Sequence, residues 1–138
     1  MVAIADARNA IYTYFLANFT GVPAARIDAA NEEFDTPVGV PWVRLSVNHN
    51  FATQRSLGGA GQRKYDRGGT VFVQIFTPQN AGLNSADDIV QDVIDTLEGI
   101  HLQNNDIRLN TATPNEIGLT DGWHLLLVSI DFEYTENR

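Results

Sequence analysis

Cysteine is absent from the 138-residue chain. Without thiols there is neither a disulfide framework nor a thiolate metal site, which fits assembly in a reducing cytoplasm. Positive charge is scarce: 9 Lys and Arg stand against 17 Asp and Glu, for a net charge of -8 and a pI near 4.6. Binding nucleic acid by counterion release needs a net basic face, so the balance excludes a general nucleic-acid binder. It also gives free copies an acidic coat that keeps them apart. Long apolar runs are missing too; none reaches the ~18 residues that a membrane-spanning helix requires. The N-terminal apolar stretch contains Asp6 and Arg8 and lacks a basic segment followed by an uninterrupted apolar core. Neither a signal peptide nor a membrane partner is therefore expected.

What remains is an ordinary globular composition, with 43% hydrophobic residues, 19% charged residues and seven Phe. A chain of this length buries roughly two-thirds of its unfolded surface around one core, so residues 1–138 are read as a single domain. In residues 3–19, Ile4, Ala7, Ile11 and Phe15 recur at helical spacing, with Leu16 and Phe19 widening the stripe. Gly21 and Pro23 end that helix. An acidic, proline-containing stretch to residue 41 reads as loop with a short strand near Arg26.

From Trp42 the period becomes two. Val43, Leu45, Val47 and His49 point one way, Arg44, Ser46, Asn48 and Asn50 the other. Residues Thr70 to Thr77 are apolar on both faces except at Gln74, as in a covered central strand, and Pro78 ends them. Ser85 and Asp88 form a capping-box variant at the head of a second helix. Its apolar stripe is Ala86, Ile89, Val90, Val93, Ile94, Leu97 and Ile100, and Asp87, Asp88, Asp92, Asp95 and Glu98 occupy its other side. A short strand from Asp106 and a long one from Gly122 are joined through Pro114, Asn115, Gly118 and Asp121-Gly122, which suggests a hairpin. The expected fold is α+β: a mainly antiparallel sheet of about four strands with two helices packed on it, in the order α-β-β-α-β-β, with one long hairpin loop.

Reactive chemistry is hard to find. "GGAGQRKY" lacks the Gly-Lys-Ser/Thr ending of a phosphate-binding loop and leads into a strand. "GAGQRK" lacks the third glycine of a dinucleotide fingerprint. His49, His101 and His124 have no metal-ligand spacing, and strand alternation separates His124 from Asp131. No catalytic residue, cofactor or metal is expected. A small-ligand or nucleotide-processing enzyme stays open as a lesser alternative, and would need a pocket with convergent titratable groups.

One segment stands out. "SLGGAGQRKYDRGG", Ser56 to Gly69, holds five glycines and three of the nine basic residues. If the flanking strands pair, about nineteen residues, 51–69, lie between them, whereas hairpin loops usually hold ~2–5. Such a loop reads as a pliable arm in which glycines relax the backbone, with Arg55, Arg63, Lys64 and Arg67 as its charges and Leu57 and Tyr65 as anchors. Three uses are compatible with it. It could lie across the acidic helix face of a neighbouring copy (Asp87, Asp88, Asp92, Asp95), face DNA phosphates in a central hole, or remain a solvated loop.

Three sequence blocks carry a resemblance: "VPWVRLSVNHN", "GGTVFVQIFTP" and "GLTDGWHLLLVSIDFEYTEN", following a helix and an acidic proline-containing loop and separated by the insertion and the acidic helix. This order, over roughly residues 3–135, resembles the tail terminator (tail completion) proteins of long-tailed bacteriophages. The resemblance implies a hexameric ring of identical subunits on the last ring of the tail tube. That ring would stop tube polymerisation, bind tube protein below and a neck or head-completion protein above, and let DNA pass through its hole. It implies a virion protein at the tail-neck junction, assembled in the host cytoplasm, with no catalytic residues to transfer. Another neck component, a connector or stopper, shares the same assembly logic.

Overall fold

The structure, a computed structural model, describes residues 3–29, 34, 36–37, 39–59, 63–79, 84–102 and 106–137. In chain order the elements are α1 (Ile4–Asn18), a 3₁₀ turn (Ala24–Arg26), β1 (Ile27–Ala29), β2 (Trp42–Gln54), β3 (Lys64–Pro78), α2 (Asn84–Leu97), β4 (His101–Leu102), β5 (Ile107–Thr120) and β6 (Trp123–Asn137). The strands form one sheet in the order β1-β2-β3-β6-β5-β4. β1 runs parallel to β2, and every other neighbouring pair is antiparallel. The fold is thus α+β, as expected, but the sheet is mixed and six-stranded rather than antiparallel and four-stranded. The four long strands are those foreseen. Of the two short ones, β1 is the strand read near Arg26, three residues long, and β4 is a two-residue edge piece too short to show a period.

Both helices pack on one face of the sheet. The odd-numbered Val43, Leu45, Val47, Val71, Val73 and Ile75 meet the even-numbered Leu126, Val128, Ile130 and Phe132, because antiparallel register places these positions on the same side. α1 inserts Ala7, Ile11 and Phe15, and α2 inserts Ala86, Ile89, Val93 and Leu97. Phe15 stacks on Phe19 at 4.6 Å, which continues the α1 stripe past the helix end. Leu16 and Ile4, expected in that stripe, are both 44% exposed, so the buried face is the narrower i, i+4 row. α2 starts at Asn84, which puts Ser85 inside its first turn rather than at the cap. Gly99, at φ +71°, ends it in the left-handed region open to glycine.

β5 reaches Thr120, well beyond the short strand expected from Asp106. Pro114 and Gly118 lie within it because it borders the sheet: among the described residues β4 covers only Ile107 and Arg108, so a missing N–H at Pro114 costs no ladder bond there. A register shift between Glu116 and Gly118 absorbs the second residue. The connection to β6 is the two-residue turn Asp121-Gly122, with φ of 50° and 82°. Two positive φ angles give the type I′ geometry whose twist matches that of paired strands.

Candidate assembly surfaces

The long hairpin is a built feature rather than a slack loop. β2 continues to Gln54 and β3 begins at Lys64, so the expected nineteen-residue loop shrinks to residues 55–63. β6 runs alongside β3 as far as the Lys64–Asn137 pair. The result is a three-stranded tongue at one end of the sheet. Arg55 N–H donates to the Lys64 carbonyl at 2.7 Å, and Lys64 N–H donates to Ser56 Oγ at 3.1 Å, which close the tip.

Gly68 and Gly69 have the opposite role from that read in the sequence. Between His49 and Phe51 the β2–β3 register shifts, leaving Asn50 as the extra residue of a bulge. A Cβ on Gly69 would run into the Asn48 carbonyl, and one on Gly68 into the Phe132 carbonyl and the Phe51 ring. These glycines permit close backbone approach and fix the direction of the tongue.

The basic residues divide into two groups. Arg67 donates from Nε to Glu136 at 2.8 Å, with side chains only 20% and 12% exposed, and lies 5.6 Å from the Tyr65 ring. Arg55 pairs with Asp66 at 3.6 Å, and Asp66 also accepts from Thr135 at 2.9 Å. These two arginines tie the tongue together. Arg63 bonds the Gly58 carbonyl through Nε at 2.8 Å and is exposed, as is Lys64. Leu57, at 94% exposure, is an apolar side chain held in water at the tip.

On α2, Asp87, Asp88 and Asp95 are exposed, whereas Asp92 is half-buried. Asp95 accepts from Gln91 at 2.9 Å, and no ion pair among the described residues joins these carboxylates to the tongue of the same chain. The tongue and the acidic helix are thus separate surfaces of one subunit.

The face without helices holds a site that sequence reasoning missed. At the end remote from the tongue, Trp42 stacks on Phe76 at 4.1 Å and meets Trp123 edge-on at 6.1 Å, with Leu125 alongside. They floor a cleft of about 340 Å³ whose rim includes Arg44, Gln74, Thr120 and Asp121. Arg44 is engaged: it pairs with Asp28 at 3.0 Å and sits 5.3 Å from the Trp42 ring. Trp42 is 3% exposed, and its Nε1–H has no hydrogen-bond partner among the described residues. Phe72, Gln74 and Phe76 were visible as a second face of β3, and Trp42 shares the parity of Arg44. Only the register, which sets Trp42 opposite Phe76 and Leu125, assembles them.

The histidines do not form a reactive centre. His49 Nε2 lies 3.0 Å from the Tyr134 hydroxyl, and its ring meets Phe132 and Tyr134 edge-on. Burial, then the positive charges of Arg8 and Arg67, holds His49 below the usual histidine pKa. Burial and then Glu136 push Tyr134 up, against Arg67 and Arg8. No His, Asp or Glu cluster with metal-binding geometry occurs among the described residues, and no helix among them is long and apolar enough to cross a membrane.

The outward features of the described subunit are a tongue, an acidic helix and an aromatic cleft, surfaces through which an assembly protein can act. The chain is a member of the phage tail terminator family: the family model described as "Phage tail terminator protein" matches residues 6–132. Its role is accordingly a structural one in tail completion, and it is a virion component. A solved structure with 17% sequence identity shares the fold at a TM-score of 0.64, over 91% of this chain and 94% of that one. No curated protein sequence matches it significantly.

Proposed function

We propose that identical copies close into a ring, six-membered as the family resemblance implies, on the last ring of the tail tube. There the ring ends tube growth and gives the neck protein its attachment surface. The observation that carries this reading is the tongue. It is stiffened by three strands and by the Arg67–Glu136 pair, yet it ends in Leu57, which is 94% exposed. A projection that carries an exposed leucine beside the outward cations Arg63 and Lys64 offers another copy an apolar and a charged handle. Identical subunits supply a complement on the acidic face of α2 (Asp87, Asp88, Asp92, Asp95), and a head-to-tail contact repeated by rotation makes a ring. A cap that binds the tube end once and offers no second tube-like surface stops polymerisation by geometry. DNA would pass through the hole of this ring.

Electron microscopy of the purified protein with tail tubes tests this reading: rings at tube ends are expected, and tube ends that stay bare refute it. Changing Arg63 and Lys64 to Glu should weaken ring formation, and Asp92→Lys with Asp95→Lys in that background should restore it if the tongue meets α2. Unchanged assembly with altered DNA retention would instead place the tongue in the lumen. Tubes capped normally but never joined to heads after substitutions at the opposite surface would favour a connector or stopper role.

A further inference from the structure

We infer that the aromatic cleft is the receptor for the tongue tip of the neighbouring copy, with Leu57 as the inserted side chain. This rests on the proposed ring. The cleft and the tip lie at opposite ends of the same strands: Trp42 opens β2, Gln54 closes it, and Leu57 lies beyond. At ~3.3 Å per residue the thirteen residues of β2 span roughly 40 Å, so no chain can place its own tip in its own cleft. A contact between these two sites therefore joins different copies, and repeated head to tail it generates a ring.

Their chemistry matches. Leu57 is an isolated apolar side chain at 94% exposure, and the cleft of about 340 Å³ is floored by Trp42, Phe76, Trp123 and Leu125. Its volume is at the small end of ligand pockets (~300–1,000 Å³), room for one leucine and its backbone rather than for a folded element. The Trp42 ring is the buried floor of the cleft, and its Nε1–H has no hydrogen-bond partner among the described residues. A Cβ on Gly59 would meet nothing within 4 Å among the described residues, so no bulky neighbour there crowds Leu57. Charge agrees as well. Asp121 stands exposed on the cleft rim and Arg63 and Lys64 flank the tip, while the cation on the rim, Arg44, is already paired with Asp28. α2 packs on the opposite face of the sheet, so the charge match at the cleft itself lies between Asp121 and the cations of the tip. Those charges orient the tip that Leu57 anchors.

The absence of cysteine allows a direct test. The double variant Leu57→Cys/Thr120→Cys, mixed with tail tubes and oxidised, should give a ladder of covalent oligomers ending at the ring number. Neither single variant should give it, since one thiol per subunit can link at most two copies, and the double variant reports proximity because a disulfide needs Cα atoms within ~7 Å. Leu57→Asp should weaken ring formation on the order of tenfold or more, with an unchanged melting temperature because the site is solvent-exposed. Wild-type rings with no ladder, or rings unaffected by Leu57→Asp, would overturn the cleft docking and leave the ring intact. Crosslinking of Leu57→Cys to tube protein instead of to Thr120→Cys would assign the tip to the tube and overturn it equally. Bare tube ends with the wild-type protein would overturn both readings.

Discussion

Adding one methyl group at Gly69 should bend or break the tongue. Its Cβ would meet the carbonyl oxygen and carbon of Asn48 and the Cα of His49, all of them backbone atoms that cannot rotate aside. The bulge must therefore open. Losing one or two ladder hydrogen bonds costs about 1 kcal/mol each, and forcing the overlapped atoms apart adds ~1–3 kcal/mol. Against this, alanine restricts the unfolded chain and returns only about 0.4–1 kcal/mol. The net loss for Gly69→Ala is about 1–4.5 kcal/mol, or a melting temperature lower by roughly 3–15 °C for a domain of this size. Gly59→Ala, where the added carbon meets nothing within 4 Å, is the matched control and should stay within ~0.5 kcal/mol of wild type. Urea unfolding of the three proteins measures the difference. Equal midpoints for Gly69→Ala and Gly59→Ala would refute the view that these backbones are pressed together, and with it the fixed direction of the tongue.

Three further outcomes follow from particular contacts. Arg67→Ala should cost about 1–3 kcal/mol in denaturant unfolding, since its ion pair with Glu136 is mostly buried, whereas Lys64→Ala should leave the midpoint unchanged. His49 is held below its unfolded pKa, so on acidification the unfolded chain takes up that proton first. Stability contributed at pH 7.5 should decline as pH falls through ~6.5 toward the lower folded value. His49→Gln should flatten that part of the pH–stability curve, and an NMR titration should find the His49 midpoint below those of ordinary histidines. Glu98→Ala removes the carboxylate that accepts from Ala112 N–H at 2.9 Å, beside the Leu109/Ala112 irregularity in β5. It should cost about 1–2 kcal/mol and speed amide exchange at Ala112.

The parts of the fold legible in the sequence are those set by local period and turn chemistry. Val43, Leu45 and Val47 announce a half-buried strand, the α2 stripe announces its buried side, and Asp121-Gly122 announces a two-residue hairpin. The tongue was legible as an unusual composition but not as a structure. Whether a glycine loosens a backbone or lets two backbones touch depends on what lies opposite, and Asn48 lies twenty-one residues from Gly69. Pro114 and Gly118 looked like loop residues because their tolerance comes from the sheet border, which is a property of topology. Of the candidate contact residues, Tyr65 and Arg67 are half-buried in the tongue's own framework, Arg55 is exposed but paired with Asp66, and Leu57, Arg63 and Lys64 are exposed. The aromatic cleft needed the pairing of three strands before Trp42, Phe76 and Trp123 could be seen as neighbours.

β6 lies against β3 without interruption from the Pro78–Trp123 pair to the Lys64–Asn137 pair. Tension applied between the two ends of such a ladder acts along the strands, so its cross-links resist in shear and must yield together rather than unzip one after another. In the proposed ring, a collar of these subunits would carry hoop stress through its stiffest members.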